Sequence, residues 1–289
     1  MNSALGWLAQ PSILPWVVLL FGLCIGSFLN VVIHRLPKML EREWRAECAS
    51  LAGQEVPAAE PYNLFVPRSR CPSCGHKISA LENVPLVSWA VLRGKCSGCK
   101  APISAKYPLV ELLAGIAAAY SAWRFGPTLT TLGAALFVWF TIALAFIDQE
   151  TGLLPDDLTL PLIWIGLLVN LWGAFVPIEA AVIGAVAGYL SLWLVYWGFK
   201  LATGKEGMGF GDFKMYAAVG AFLGWKMLPL VILVSAFVGL FFGALQMFAA
   251  RGRYEGGFRF HFGPYIAIAG VIALFWGDGI MRWYMYRVG

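Results

Sequence analysis

Two groups of side chains in this 289-residue sequence are of a type and spacing that can do chemistry. The first is a set of carboxylates inside apolar runs: Glu111 in Tyr-Pro-Leu-Val-Glu, Asp148 in Ala-Phe-Ile-Asp-Gln-Glu, and Asp212 in Gly209-Phe-Gly211-Asp212-Phe-Lys214. A charge in such surroundings is costly and marks a function by default. Paired carboxylates suit peptide hydrolysis without a metal: one ionised group takes a proton from water while its protonated partner polarises the scissile carbonyl. Asp148 and Asp212 are the expected catalytic pair. Asp212 falls at a helix start, where the dipole favours its ionised form and Lys214 is near, and Asp148 falls at a helix end. The Gly209 and Gly211 backbone is expected to let an extended substrate approach. Glu111, one turn into a helix, is a weaker candidate that can instead bond Lys106 or a neighbouring helix. Asp156 and Asp157 follow Pro155 at a helix start and read as structural, and Asp278 reads as solvated.

The second group is Cys71-Pro-Ser-Cys74 and Cys96-Ser-Gly-Cys99, two C-x-x-C pairs 21 residues apart. Each pair presents two thiolates to one tetrahedral ion, which points to structural zinc. Disulfides, an iron–sulfur centre and free thiols are the alternatives, and a reducing compartment disfavours the first. His76 becomes a ligand only by displacing a cysteine, and reads as a surface residue. Cys24 and Cys48 read as inert thiols. The surrounding segment, Arg35–Lys106, carries 11 basic and 6 acidic residues. It has few large hydrophobes for its size, so metal binding would supply the missing folding energy.

The elements that must position these groups are membrane helices. Hydrophobic residues make up 60% of the chain and charged residues 13%, with a mean hydropathy of +0.72. That is too apolar for a soluble domain. Runs near 13–33, 107–123, 129–147, 158–175, 179–199, 213–225, 227–250 and 262–281 approach the length of a crossing. The expected fold is therefore an all-α polytopic membrane protein of about eight transmembrane helices, with a small zinc-binding insert after the first helix. Residues 1–34 form the first helix, 35–106 the insert and 107–289 the remaining bundle. The first run lacks a preceding basic residue and a following small-residue cleavage pattern, and so reads as a retained anchor. Within the insert, Met39–Leu51 is expected to be a short amphipathic surface helix. No internal repeat is evident, and glycines punctuate 203–211 and 252–257.

With the N-terminus outside, the segments joining odd to even helices, together with Lys214, hold 17 of the 21 Lys and Arg. The positive-inside rule makes that side cytoplasmic, so the insert and both aspartates face the cytoplasm. Anionic lipid accounts for the basic isoelectric point of about 8.9 with no nucleic-acid partner.

Together the motifs resemble the type IV prepilin peptidases, bifunctional aspartic membrane proteases of the Gly-x-Gly-Asp kind. The likeness runs through Gly26-Ser-Phe-Leu-Asn30 to Pro37, Pro67 to Cys74, Leu92-Arg-Gly94-Lys-Cys96 to Cys99, Pro102 to Glu111, the Asp148 string, Gly209 to Asp212, and Phe262-Gly-Pro264. The resemblance implies catalytic Asp148 and Asp212 and zinc on Cys71, Cys74, Cys96 and Cys99. It implies inner-membrane residence and cleavage, after a Gly, of the basic leader of prepilins and type II secretion pseudopilins. It further implies N-methylation of the new N-terminal residue, usually Phe, from S-adenosylmethionine, with Gly94 in the methyltransferase part. No dinucleotide-type glycine fingerprint locates that cofactor. A proton-coupled transporter would also carry membrane carboxylates, but the cysteine insert and the glycines before Asp212 would be unexplained.

Overall fold

The computed structural model describes residues 10–54, 61–249 and 261–288. Among these, every long element is a helix, and the only β pairing is two isolated bridges. The chain divides into two compact units, 1–127 and 128–289.

The first unit holds α1 (Leu14–Leu51), a short 3-10 turn (Leu81–Asn83), α2 (Val87–Val91) and α3 (Lys106–Phe125). α1 runs unbroken for 38 residues with Pro37 inside it. The expected separate surface helix at Met39–Leu51 is thus the second half of α1. Proline removes one backbone donor, and the residues that follow, Met-Leu-Glu-Arg-Glu-Trp-Arg-Ala-Glu, are good helix formers that carry the helix on. α1 packs on α3 through small residues. A methyl group on Gly26 would lie 2.5 Å from Glu111 Cα, and one on Gly22 would lie 2.9 Å from the Ala114 carbonyl oxygen. Such contacts replace the hydrophobic driving force that lipid cannot supply.

The second unit holds α4 (Leu129–Thr151), α5 (Asp156–Asn170), α6 (Ile178–Thr203), α7 (Phe210–Leu223), α8 (Leu228–Ala249) and α9 (Gly263–Val288). α7 is its core. It has 14 residues, of which 11 are buried, and it packs chiefly on α5 and α6. Gly184 of α6 and Gly220 of α7 bring the two backbones into direct contact, and Gly166 of α5 leaves room for the Phe222 ring. A helix this short is viable in an apolar core only if its ends are satisfied by protein. Asn170 does this at the C-terminal end: its Nδ2 donates to the carbonyls of Ala221 and Phe222 at 2.9 Å each. Its Oδ1 accepts from Phe175 and Val176.

Helices α1, α4, α6, the segment Trp225–Leu245 and α9 are each long and apolar enough to cross a membrane. Among the described residues, five of the eight expected crossings are thus matched; α3 is not among them, and α5, with 15 residues, and α7 are shorter. The Gly-rich stretch expected at 252–257 lies outside the described residues.

Candidate active site

Asp148 occupies the last turn of α4, which closes on Gly152 in the left-handed conformation; the Gly152 N–H donates to the Asp148 carbonyl at 2.8 Å. Asp212 is the third residue of α7, whose cap is Gly209. Its carboxylate reaches back to accept from the Gly209 N–H at 3.1 Å. This is the return half of a capping box, and it fixes the carboxylate relative to the helix end. Asp148 is held in the same manner from elsewhere: its Oδ2 accepts from the N–H of Gly263 at 3.0 Å, at the start of α9. Both carboxylates are almost fully buried, at 5% and 6% exposure, and they lie close enough to interact electrostatically. Each thus rests by one oxygen on a backbone N–H at a helix start, and the dipole argument that set the two apart at the sequence level does not separate them. Asp148 ends one helix and faces the beginning of another.

Gly211 and Gly263 are closely packed, and Gly209 is open. A methyl group on Gly211 would lie 2.5 Å from Leu154 Cβ, whereas one on Gly209 meets nothing closer than 3.8 Å. On Gly263 it would lie 2.7 Å from Asp148 Oδ2, so only glycine lets the carboxylate settle on that N–H. Lys214 is engaged away from Asp212: its Nζ sits 2.6 Å from Asp156 Oδ1 and 2.7 Å from Oδ2, tying α7 to the start of α5. His261, which sequence reasoning did not single out, places Nε2 against Gly152 within electrostatic range of Asp148.

Glu111 belongs to the first unit. It is buried, and its Oε2 accepts from the N–H of Leu86 at 2.8 Å, with Ser27 of α1 as a further donor. The partner is therefore the segment before α2 and a neighbouring helix. Arg35 acts similarly, donating to the carbonyls of Asn63 at 2.8 Å and Pro67 at 2.5 Å. Asn30 Nδ2 donates to the Tyr107 carbonyl at 3.0 Å. Polar side chains on helices thus hold the cysteine segment at its two ends and at Leu86 between the cysteine pairs.

In that segment the four cysteine sulfurs lie within 4.8 Å of one another. Cys71 and Cys99 are 3.8 Å apart, and Cys74 and Cys96 are 4.0 Å apart. A tetrahedron of sulfurs about 2.3 Å from zinc has edges of about 3.8 Å, so this donor set fits a metal ion. The two pairs are built alike. Cys71 N–H donates to the His76 carbonyl and Gly75 N–H to the Cys71 carbonyl; Cys96 N–H donates to Ala101 and Lys100 N–H to Cys96. The bridges Arg70 to Lys77 and Lys95 to Pro102 close both turns. This is a structural repeat with a 25-residue offset, where none was expected. His76 stays out of the sulfur cluster, as expected, and its Nε2 lies 3.2 Å from Glu82 Oε1 and 3.1 Å from Ser97 Oγ. Hydrogen bonds from Ser97 and from the Ser79 backbone hold the Glu82 carboxyl down at about 2. Gly94 has φ +66, and a methyl group there would lie 3.0 Å from Trp89 Cζ2. The missing side chain therefore makes room for Trp89, which donates to the Ile103 carbonyl at 3.3 Å.

Comparison with known proteins agrees with this division. Residues 20–125 match the bacterial peptidase A24 N-terminal domain, and residues 135–244 match the type IV leader peptidase family. The chain is 58% identical over 278 residues to the prepilin leader peptidase/N-methyltransferase of Aeromonas hydrophila, covering 94% of this chain and 95% of the relative. It is 52% identical over 272 residues to the protein of the same name from Pseudomonas aeruginosa, covering 94% and 93%. This chain belongs to the type IV leader peptidase family. No solved structure matches it. The leader peptidase match contains both aspartates and the whole of α7, and it ends before Gly263, the donor to Asp148. The family's N-terminal domain match falls within the first unit and contains all four clustered cysteines.

Proposed function

We propose that this chain is a bifunctional membrane enzyme that removes the basic leader from prepilins and pseudopilins after a glycine and then methylates the new N-terminal residue. The observation that carries the first half is the convergence of Asp148 and Asp212, from two helices of one unit, on neighbouring buried positions. Like charges at close range do not both ionise readily, so the pair shares one proton. The ionised carboxylate takes a proton from the attacking water while the protonated partner donates to the scissile carbonyl; the proton then passes to the leaving amine. Holding each carboxylate by Oδ2 on a helix-start N–H fixes its plane before substrate arrives, which keeps the reorganisation cost low.

The second half is supported by the names of the relatives and by the family's N-terminal domain. S-adenosylmethionine supplies the methyl group when bound. Gly94 is part of this half by resemblance, but the space beside it is filled by Trp89, so it forms no cofactor cradle and no step is assigned to it. Cys71, Cys74, Cys96 and Cys99 hold zinc in a structural role, closed to substrate by its four sulfur ligands. The charge distribution supports an inner-membrane location, with the cysteine segment and the aspartates on the cytoplasmic side.

The test is incubation of the purified protein with a prepilin and the methyl donor, followed by mass spectrometry of the product's N-terminus. The expected product begins at the residue after the glycine and is heavier by one methyl group. An uncut substrate overturns the peptidase reading, and a cut but unmethylated one overturns the second activity.

A further inference from the structure

The loop between α4 and α5, residues 152–155, is gripped at three successive points by the segments that carry or hold the aspartates. His261, two residues before the Gly263 donor, lies against Gly152. Lys214, two residues after Asp212, pairs with Asp156 at the loop's far end. Between them is Leu154, half-buried, whose two δ-methyl groups diverge. Against Gly211 it presents Cβ, its carbonyl oxygen and Cδ1, at 2.5, 3.2 and 3.3 Å from where a methyl there would be, and against Gly263 it presents Cδ2, at 3.1 Å. Gly211 immediately precedes Asp212, and Gly263 carries the N–H that holds Asp148. One branched side chain is therefore wedged between the two backbone segments that place the two carboxylates.

We propose that Leu154 is a positioning residue for the aspartate pair, setting the distance between the turn before Asp212 and the start of α9. The inference rests on the peptidase reading above. Leucine suits the place because its branch at Cγ offers one methyl to each side. Alanine loses both methyls, and with them the whole contact to Gly263, keeping only Cβ and backbone against Gly211; methionine keeps the volume but has a single terminus. Both glycines are required by the same wedge: a side chain on either would collide with Leu154 and push the segments apart. Packed interiors transmit such displacements. A shift near 1 Å in catalytic geometry lowers rates by as much as 10²-fold.

The experiment compares wild type, Leu154→Ala and Leu154→Met in prepilin cleavage, with thermal unfolding and metal content measured on the same samples. The expected result is a fall in kcat of roughly 10- to 100-fold for Leu154→Ala, with KM unchanged and with normal unfolding temperature and metal content. Leu154→Met should fall between that variant and wild type. The pH profile of kcat in Leu154→Ala should also narrow, because separating two coupled acids brings their apparent titrations together. His261, Tyr265 and the Lys214–Asp156 pair, the other ionisable groups about the site, stay in place and serve as the reference. Wild-type kcat in Leu154→Ala overturns the proposal. A rise in KM alone makes Leu154 a substrate contact, and a parallel loss of unfolding temperature makes it a packing residue; either overturns it. A wild type that leaves prepilin uncut overturns the peptidase reading itself, and the proposal with it.

Discussion

The cysteine segment and the helix α7 sit in one chain but are held by opposite means. From 61 to 105 only Gly94 and Cys96 are buried, so apolar burial contributes little there. The segment depends on two hairpin turns, a metal-sized sulfur cluster and polar grips from Arg35 and Glu111. In α7 the first buried residue is Asp212 and the run Met215–Leu223 is buried throughout. Its stability comes from glycine-to-backbone contact with α6 and from Asn170 satisfying its end. A region built on coordination tolerates exposure and sequence change but fails when its ligand leaves. A region built on close packing needs no ligand but has no room for added atoms.

That contrast predicts separate failures. Stripping metal with a chelator should cost the cysteine segment about 10 kcal/mol of folding free energy. Limited proteolysis should then cut within 61–105 while prepilin cleavage continues, and simultaneous loss of cleavage would show that the two regions are not energetically distinct. Next in size are Asp148→Asn and Asp212→Asn, each expected to lower cleavage by about 10²- to 10⁴-fold with metal content intact. Asparagine still accepts the backbone N–H bond but cannot relay a proton, and near-normal turnover would remove that residue from the pair. Gly220→Ala places a methyl against the Gly184 backbone and should destabilise the second unit by about 3 kcal/mol. A lowered unfolding temperature with full metal stoichiometry checks it. The smallest effect is a gain. Lys100 adopts φ +60 at the position where the matching turn has Gly75 at φ +72. Lys100→Gly should therefore stabilise the metal-bound segment by about 1 kcal/mol, read as slower metal loss to a competing chelator.

The chemistry was legible in the sequence wherever a residue type is out of place by itself. Aspartates in apolar runs and cysteines with two residues between them announce themselves, and the structure brings Asp148 near Asp212 and the four sulfurs together. What was not legible depends on contact between distant segments. Gly263 lies 115 residues from the carboxylate it holds, and nothing local distinguishes Leu154 from its neighbour Leu153. The repeat in the cysteine segment escaped notice because its two turns share little beyond the cysteines. One uses Gly75 and the other Lys100 at the same left-handed position. Gly211 was read as an opening for substrate, since a glycine's freedom and a glycine's lack of volume look the same in a sequence. Met39–Leu51 was read as a separate surface helix, but the structure runs α1 through Pro37 and into it. The chain divides into its two compact units after residue 127, with α3 in the first unit because it packs on α1.

The unbroken course of α1 has a mechanical consequence. Thirty-eight helical residues make a rod roughly 57 Å long at 1.5 Å per residue, and a bilayer core accounts for about 30 Å of it. The remainder is a mast beyond the length that one crossing requires. It is clamped at its foot, where Arg35 grips the carbonyls of Asn63 and Pro67 and Tyr62 lies beneath Arg42 at 4.2 Å. Pro37 is seated at that foot, and because it has no N–H to give, the carbonyl one turn back is already without its helical partner. The mast therefore has one joint at which it can lean without breaking a backbone hydrogen bond, and that joint lies beside the clamp.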